Sequence, residues 1–363
     1  MDTMVTVLAT VVVLGVLIFV HELGHFLAAK AVDIEVQRFS LGLGPKMFGF
    51  RRGETEYVIS WFPLGGYVKM AGMAEEEGIG MLEGGASGGR EPSPRDFDAK
   101  SLPARTLVIS AGVLMNLLFA VAAFILVAKA QGVQLALISE VQEDSPAAAA
   151  GFQAGDHILS VEGQRVRAFD ELALLVQQSP ETPIRVGVER DGKRLSLNVV
   201  PRRVSIWSEV VRDSVDIGQI GVTSDPEGGY RTLSWTEAIP EGSFRTWYWV
   251  RTTLEFLGQL VSGQSSAKEV GGPILIGQLS GRAARAGFWS LLSFMAIISV
   301  NLAILNLLPV PVLDGGHLTF LAFEAVRGKA LSVEQRIRLT QVGLVLVVGL
   351  MVWVITNDVL RLL

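Results

Sequence analysis

The segment HELGH, residues 21–25, places two histidines four apart with Glu22 beside the first. On a helix such positions share a face, so His21 and His25 can both reach one metal ion while Glu22 stands next to its open coordination position. That is the chemistry of hydrolysis by a metal-activated water, with the glutamate as general base. The chain has 4 histidines and no cysteine, so the pattern is a poor candidate for coincidence and thiolate ligation is excluded. A catalytic zinc takes three protein ligands and a water, so a third ligand is required. Glu35, Glu54 and Glu56 are formal candidates, and Asp314 lies far downstream in NLLPVPVLDGGH, residues 306–317.

The elements around these residues separate the candidates. HELGH sits inside an apolar run, residues 4–31, and ionisable groups within a membrane helix are costly and usually functional. Runs at 104–128, 288–308 and 340–357 also approach the roughly 20 residues that cross about 30 Å of hydrocarbon. The first run lacks a basic leader and a small-residue cleavage site, so it is expected to stay as a membrane helix. On this topology the three glutamates fall outside the bilayer. Asp314 follows Pro309 and Pro311, which interrupt the backbone at membrane depth, and such backbone is tolerated only in protein or beside a polar cavity. Asp314 therefore ranks first as third ligand and His317 second. The plainer reading of Asp314 is a helix cap.

Half of the 363 residues are hydrophobic, 18% are charged, and the net charge of −5 argues against a nucleic-acid partner. Lys and Arg cluster after the first and third apolar runs, which puts those connections in the cytoplasm and both termini and residues 131–287 outside. The stretches TEYVIS and PLGGYVKM, with a Gly65-Gly66 turn signal, predict a membrane-associated β-hairpin near 55–70. The following stretch, with Glu75, Glu76, Glu77, Pro92 and Pro94, reads as a loop. Farther on, strand-like runs at 136–141, 157–161, 184–189 and 195–200 and a helix at 169–178 predict a compact β-rich module. The aromatic segment 235–263 predicts an amphipathic helix on the outer membrane face.

The string SPAAAAGFQAGDHILSVEG, residues 145–163, resembles circularly permuted bacterial PDZ domains, which implies a peptide held along a sheet edge. HELGH in the first span, NxxPxPxLDGG in a later one and this module between them resemble the site-2 protease family (M50), and closely its bacterial RseP-type members. The likeness also takes in PLGGYVKM, AGVLMN with Asn116, and GGPI at 271–274, so it covers nearly the whole chain. One departure is a single PDZ module where better-known RseP-type members carry two. The resemblance implies zinc held by His21, His25 and Asp314, catalysis by Glu22, and Asn306 as a polar group for substrate or oxyanion. Asn116 is assigned to helix packing.

The fold expected is a polytopic α-helical membrane protein of about four transmembrane helices, with a membrane-associated β-hairpin and an inserted periplasmic PDZ β-rich domain. Its segments are 1–31 with HExxH, 32–103 cytoplasmic with the hairpin, 104–130 membrane, 131–204 PDZ, 205–287 linker with the amphipathic helix, 288–309 membrane, 310–339 with LDGG, and 340–363 membrane. The function expected is intramembrane zinc endopeptidase in a bacterial inner membrane, with the active site near the cytoplasmic side. Its partners are transmembrane protein substrates, the lipid bilayer and a peptide at the PDZ domain. A membrane PDZ receptor with a structural metal site is the alternative, and a metal-ion transporter is disfavoured by Glu22 and the outer module.

Overall fold

The protein was analysed as a computed structural model, which describes residues 2–73, 92–208, 213–224, 230–263 and 270–360. Most of the loop expected after the hairpin, residues 75–91, lies outside them. Among the described residues four helical stretches are long and apolar enough to cross a membrane: Thr3–Ala31, Leu102–Gln131, Phe288–Asn306 and Glu334–Leu360. Large apolar side chains on them, including Leu8, Leu118 and Val345, stand exposed, as expected where lipid is the solvent. The chain divides into two compact units, Met1–Phe124 with Gly242–Leu363, and Ile125–Glu241.

In the first unit, α1 (Asp2–Ala31) is followed by two long kinked strands, β1 (Val36–Arg52) and β2 (Thr55–Met70). The chain reverses at Gly53, where a φ of 63° suits a residue without Cβ. This corrects the expected hairpin: residues 55–70 form one strand, and Gly65-Gly66 is not its turn. Register shifts fold the pair into four segments. Residues 36–41 pair with 66–70 on one side and with 56–59 on the other, and 55–60 pair in turn with 46–52. Segment 66–70 is thus an edge of this small sheet. The outer corner is tied down by Glu54, whose carboxylate accepts from Arg95 at 2.7 and 2.9 Å and also pairs with Lys30.

After α2 (Leu102–Gln131) the second unit begins with β3 (Val133–Gln134), β4 (Glu140–Val141) and α3 (Pro146–Ala149), and with α4 (Phe169–Gln177) it holds a sheet of order β6 (Gln164–Arg165), β5 (His157–Val161), β7 (Ile184–Arg190), β8 (Lys193–Val199). Ile158, Val186 and Val188 project to a core shared with Leu172 of helix Phe169–Gln177. The turn joining β7 to β8 has positive φ at Asp191 and Gly192, the conformation a two-residue hairpin requires. Of the expected run 136–141, only Glu140–Val141 forms a strand. The unit continues beyond residue 204 because Val222–Thr223 pairs back with that strand and Ile220 joins the core.

The chain returns to the first unit through α5 (Trp235–Ser262). Its second half packs Trp249, Val250 and Leu257 against Ala120 and Phe124 of α2 and Val300 of α7 (Phe288–Asn306), and Thr253 Oγ1 donates to Asn301 Oδ1 at 2.7 Å. That half is a packing element, more than the surface helix expected. Between α5 and α7 lies α6 (Pro273–Arg285), which lays Gly277 and Gly281 against Thr10 and Thr6 of α1. The last helices are α8 (Asp314–Arg327) and α9 (Val333–Leu360).

GGPI opens α6, and its free backbone donors are met by one carboxylate. Asp358 of α9, 3% exposed, accepts from Gly272 N and Ile274 N at 3.0 Å and from Leu275 N at 3.2 Å. A carboxylate at a helix N-terminus satisfies those donors and opposes the positive end of the helix dipole. Asp358→Ala leaves buried N–H groups unpaired, and should lower stability by about 1–3 kcal/mol, read as an earlier thermal transition of the purified protein. Asp358→Asn keeps one acceptor and should lie between.

Candidate metal centre

HELGH lies well inside α1, where His21 and His25 are 9% and 7% exposed. Their Nε2 atoms are 3.2 Å apart, and Asp314 Oδ2 lies 3.2 Å from His21 Nε2 and 3.4 Å from His25 Nε2. Ligands at ~2.0–2.1 Å from a tetrahedral zinc stand roughly 3.3 Å from one another, so this triangle has the size a metal requires. Asp314 Oδ2 is buried with no hydrogen-bond donor of its own, as a metal-facing oxygen would be. Asp314 opens α8, yet no side chain caps that helix at Leu313, so the carboxylate is not spent as a cap. Among the described residues these three form the group able to hold a metal ion.

The other nitrogen of each imidazole is engaged by α2. His25 Nδ1 lies 2.8 Å from the Val108 carbonyl, which accepts a hydrogen bond from Nδ1–H and so leaves Nε2 without a proton. Fully buried Asn116 sets its side-chain amide against His21, with Nδ2 3.2 Å from His21 Nδ1; with the amide turned over, its otherwise unpartnered Oδ1 would accept from Nδ1–H in the same way. Val108, Gly112 and Asn116 are spaced by four and so form one stripe of α2 facing the imidazoles. Gly112 sits in the middle, where a Cβ would run into His25 Nε2 and come within 2.7 Å of His21 Cε1. On the facing helix, a Cβ at Gly24 would strike the Ala111 carbonyl. The sequence reading assigned Asn116 to packing. The structure places it against a candidate ligand, and the signal was a glycine and an amide four apart in an apolar helix.

The third side of the site depends on the chain break at the end of α7. Residues 307–313 turn back over the start of α8, where a Cβ on Gly315 or Gly316 would strike the carbonyls of Leu307, Leu308 or Val310. Only glycines let the helix begin there, which fixes Asp314 beneath the two histidines. Asn306, the last residue of α7, brings its Nδ2 to 3.4 Å from His21 Nε2. His317 lines the same cavity but is not in the ligand triangle. Glu54 and Glu56 are held by Arg95, Lys30, Arg38 and Lys46.

A cavity of about 450 Å³ joins these groups, with Glu22 and Asn306 on its wall and residues 65–70 of β2 along one side. A Cβ on Gly66 would stand 2.9 Å from Glu22 Cγ, so the edge strand passes in contact with the glutamate. Two imidazoles from one apolar helix and a carboxylate from the start of another helix, with an adjacent glutamate and a groove bounded by a strand edge, define a metallopeptidase type of site.

Comparison with known proteins agrees. Peptidase family M50 matches residues 9–350. The zinc metalloprotease RasP of Geobacillus kaustophilus is 32% identical, with 99% of this chain and 98% of that protein covered. Metalloprotease MmpA of Caulobacter vibrioides is 33% identical, with 96% and 94% covered. A solved PDZ domain from the SdrC-like protein of Listeria monocytogenes is similar to 24% of this chain at 18% identity, with a TM-score of 0.19. The chain belongs to peptidase family M50, the family of site-2 proteases.

The stripe on α2 carries a prediction. Gly112→Ala should abolish metal retention, because the methyl group displaces the imidazoles. Asn116→Leu, of similar volume, should weaken zinc affinity by roughly 10–100-fold. Zinc content after purification and titration with a competing chelator measure both.

Proposed function

We propose that this zinc metalloprotease is an intramembrane endopeptidase that cuts a peptide bond within or beside a transmembrane segment of another membrane protein. The observation that carries the proposal is the triangle of His21 and His25 on the apolar α1 with Asp314 at the start of α8, open to a cavity shared with Glu22. The residues present suit zinc, the metal in the name of the RasP relative. When bound, zinc supplies a Lewis acid for the scissile carbonyl and lowers the pKa of water. Glu22 takes a proton from the attacking water and returns it to the leaving amine. The Asn306 amide donates a hydrogen bond to the developing oxyanion. Val108 and Asn116 hold the imidazoles in the tautomer that the chemistry needs.

The lysines and arginines following the first and third spans support an orientation with these connections and the metal centre toward the cytoplasm. On that reading the β-rich unit faces the periplasm of a bacterial inner membrane. There it acts as a PDZ-type module that captures or excludes substrates before cleavage.

A helical substrate keeps its carbonyls in hydrogen bonds that lipid cannot replace, so it must be opened locally. The pairing pattern points to the edge segment 66–70, which together with Gly65 lines the cavity. A substrate strand added there exchanges its helical hydrogen bonds for inter-strand ones next to Glu22.

Two experiments test the proposal on a single-span substrate with protein in liposomes. Wild type should cut, Glu22→Gln should keep zinc while losing roughly 10²-fold or more in rate, and Asp314→Ala should lose zinc. Cutting by Glu22→Gln at the wild-type rate would remove the assignment. Proline placed singly at Tyr67, Val68 and Lys69 should abolish cleavage at one or more positions with zinc content intact. Full cleavage by all three would refute the strand-addition step.

A further inference from the structure

The second unit contains a cavity of about 1040 Å³ that the peptidase reaction does not use. It lies between the sheet, the residues that follow α2 and the first turns of α5. Four arginines line it: Arg165, Arg167, Arg194 and Arg231. Two face carboxylates, with Arg231 2.7 Å from Glu237 and Arg167 3.8 Å from Glu241. Arg165 and Arg194 make no ion pair among the described residues. The floor is built of small groups, since Gly187 lies opposite Ser160 on the neighbouring strand. The cavity thus carries an excess of two positive charges, a hydroxyl at its base and room for a bulky anion.

Chain connectivity fixes its depth relative to the membrane. Lys129, in the last turn of α2, places Nζ 5.9 Å from the ring centre of Trp235, the first residue of α5. A lysine and a tryptophan together at the end of a membrane-spanning helix mark the headgroup level. Val133 and Leu233, both on the cavity wall, are four and two residues from that pair. At no more than ~3.6 Å per residue, the wall begins within about 15 Å of the headgroup plane.

We propose that this cavity binds the phosphate headgroup of an anionic phospholipid, with Arg165 and Arg194 as its ligands. Guanidinium forks match phosphate oxygens, and two of them without protein carboxylates retain their full capacity for such an anion. The lipid source is favoured over a soluble one because the cavity wall starts beside the membrane anchor. Occupancy couples the β-rich unit to the charge of the membrane surface.

The test uses the full chain in nanodiscs of phosphatidylcholine with or without phosphatidylglycerol, and counts by native mass spectrometry the lipids kept on release. Wild type should retain phosphatidylglycerol selectively. The pair Arg165→Gln with Arg194→Gln should weaken retention roughly tenfold or more, while Arg185→Gln with Lys193→Gln, equal in charge and outside the cavity, should match wild type. Zinc content and thermal transition confirm that each variant is folded. Equal loss in both pairs would reduce the effect to surface charge and overturn the proposal. So would displacement by soluble glycerol phosphate at the same concentration as the lipid. Capture of an acidic peptide through the same arginines, without lipid retention, would assign the cavity to protein ligands instead.

Discussion

An imidazole offers a metal only the nitrogen that carries no proton. Which nitrogen that is must be settled by the groups the protein sets against the ring. Here the decision is made by α2, whose Val108 carbonyl and Asn116 amide occupy the two Nδ1 positions. This constraint propagates outward. For backbone and amide to reach the rings, α1 and α2 must approach until Gly24 meets the Ala111 carbonyl and Gly112 meets the imidazoles. Small residues at a membrane helix crossing usually serve packing, and here the same economy of volume brings the groups that would select the tautomer against the candidate ligands.

The remaining elements can be understood as supports for that crossing. Asp314 must arrive from the opposite side without a helix of its own pushing α1 away. The chain solves this by ending α7 at Asn306, running through Pro309 and Pro311, and restarting on two glycines. On the far end of α1, α6 packs glycine against threonine, and its first turn is fastened by Asp358. A carboxylate within a membrane helix is expensive, but one that receives three backbone donors replaces much of the water it lost. The catalytic helix is thereby braced along its length by α2, α6 and the β2 edge.

Much of this was legible in the residues. HELGH specifies its own geometry, because four residues make about one helical turn, and Asp314 announced itself by standing after two prolines in an apolar run. The four apolar spans were placed within a few residues of their helices because lipid leaves few alternatives. What escaped were features set by partners distant in sequence. Gly65-Gly66 carries a local turn signal, but Gly66 pairs with Leu41 and the strand runs on through it. Strand 36–52 contains Gly42, Gly44 and Pro45, which hide it from any propensity argument. Its existence depends on pairing with residues 55–70. Asn116 resembled a packing residue because nothing nearby in sequence shows that His21 lies across the crossing.

The two roles of the small sheet follow from a single property. An edge strand is ordinarily a liability, since its unpaired donors and acceptors invite any extended chain. On the proposed mechanism that hazard becomes the means of recognition: segment 66–70 would accept a strand only after the incoming helix has surrendered its own hydrogen bonds, and that opened backbone is what Glu22 would address. Gly66 lets the strand lie against the glutamate without a side chain between them. Selection for an openable segment therefore needs no reading of individual side chains. It arises because pairing and hydrolysis demand the same backbone conformation within one turn of α1.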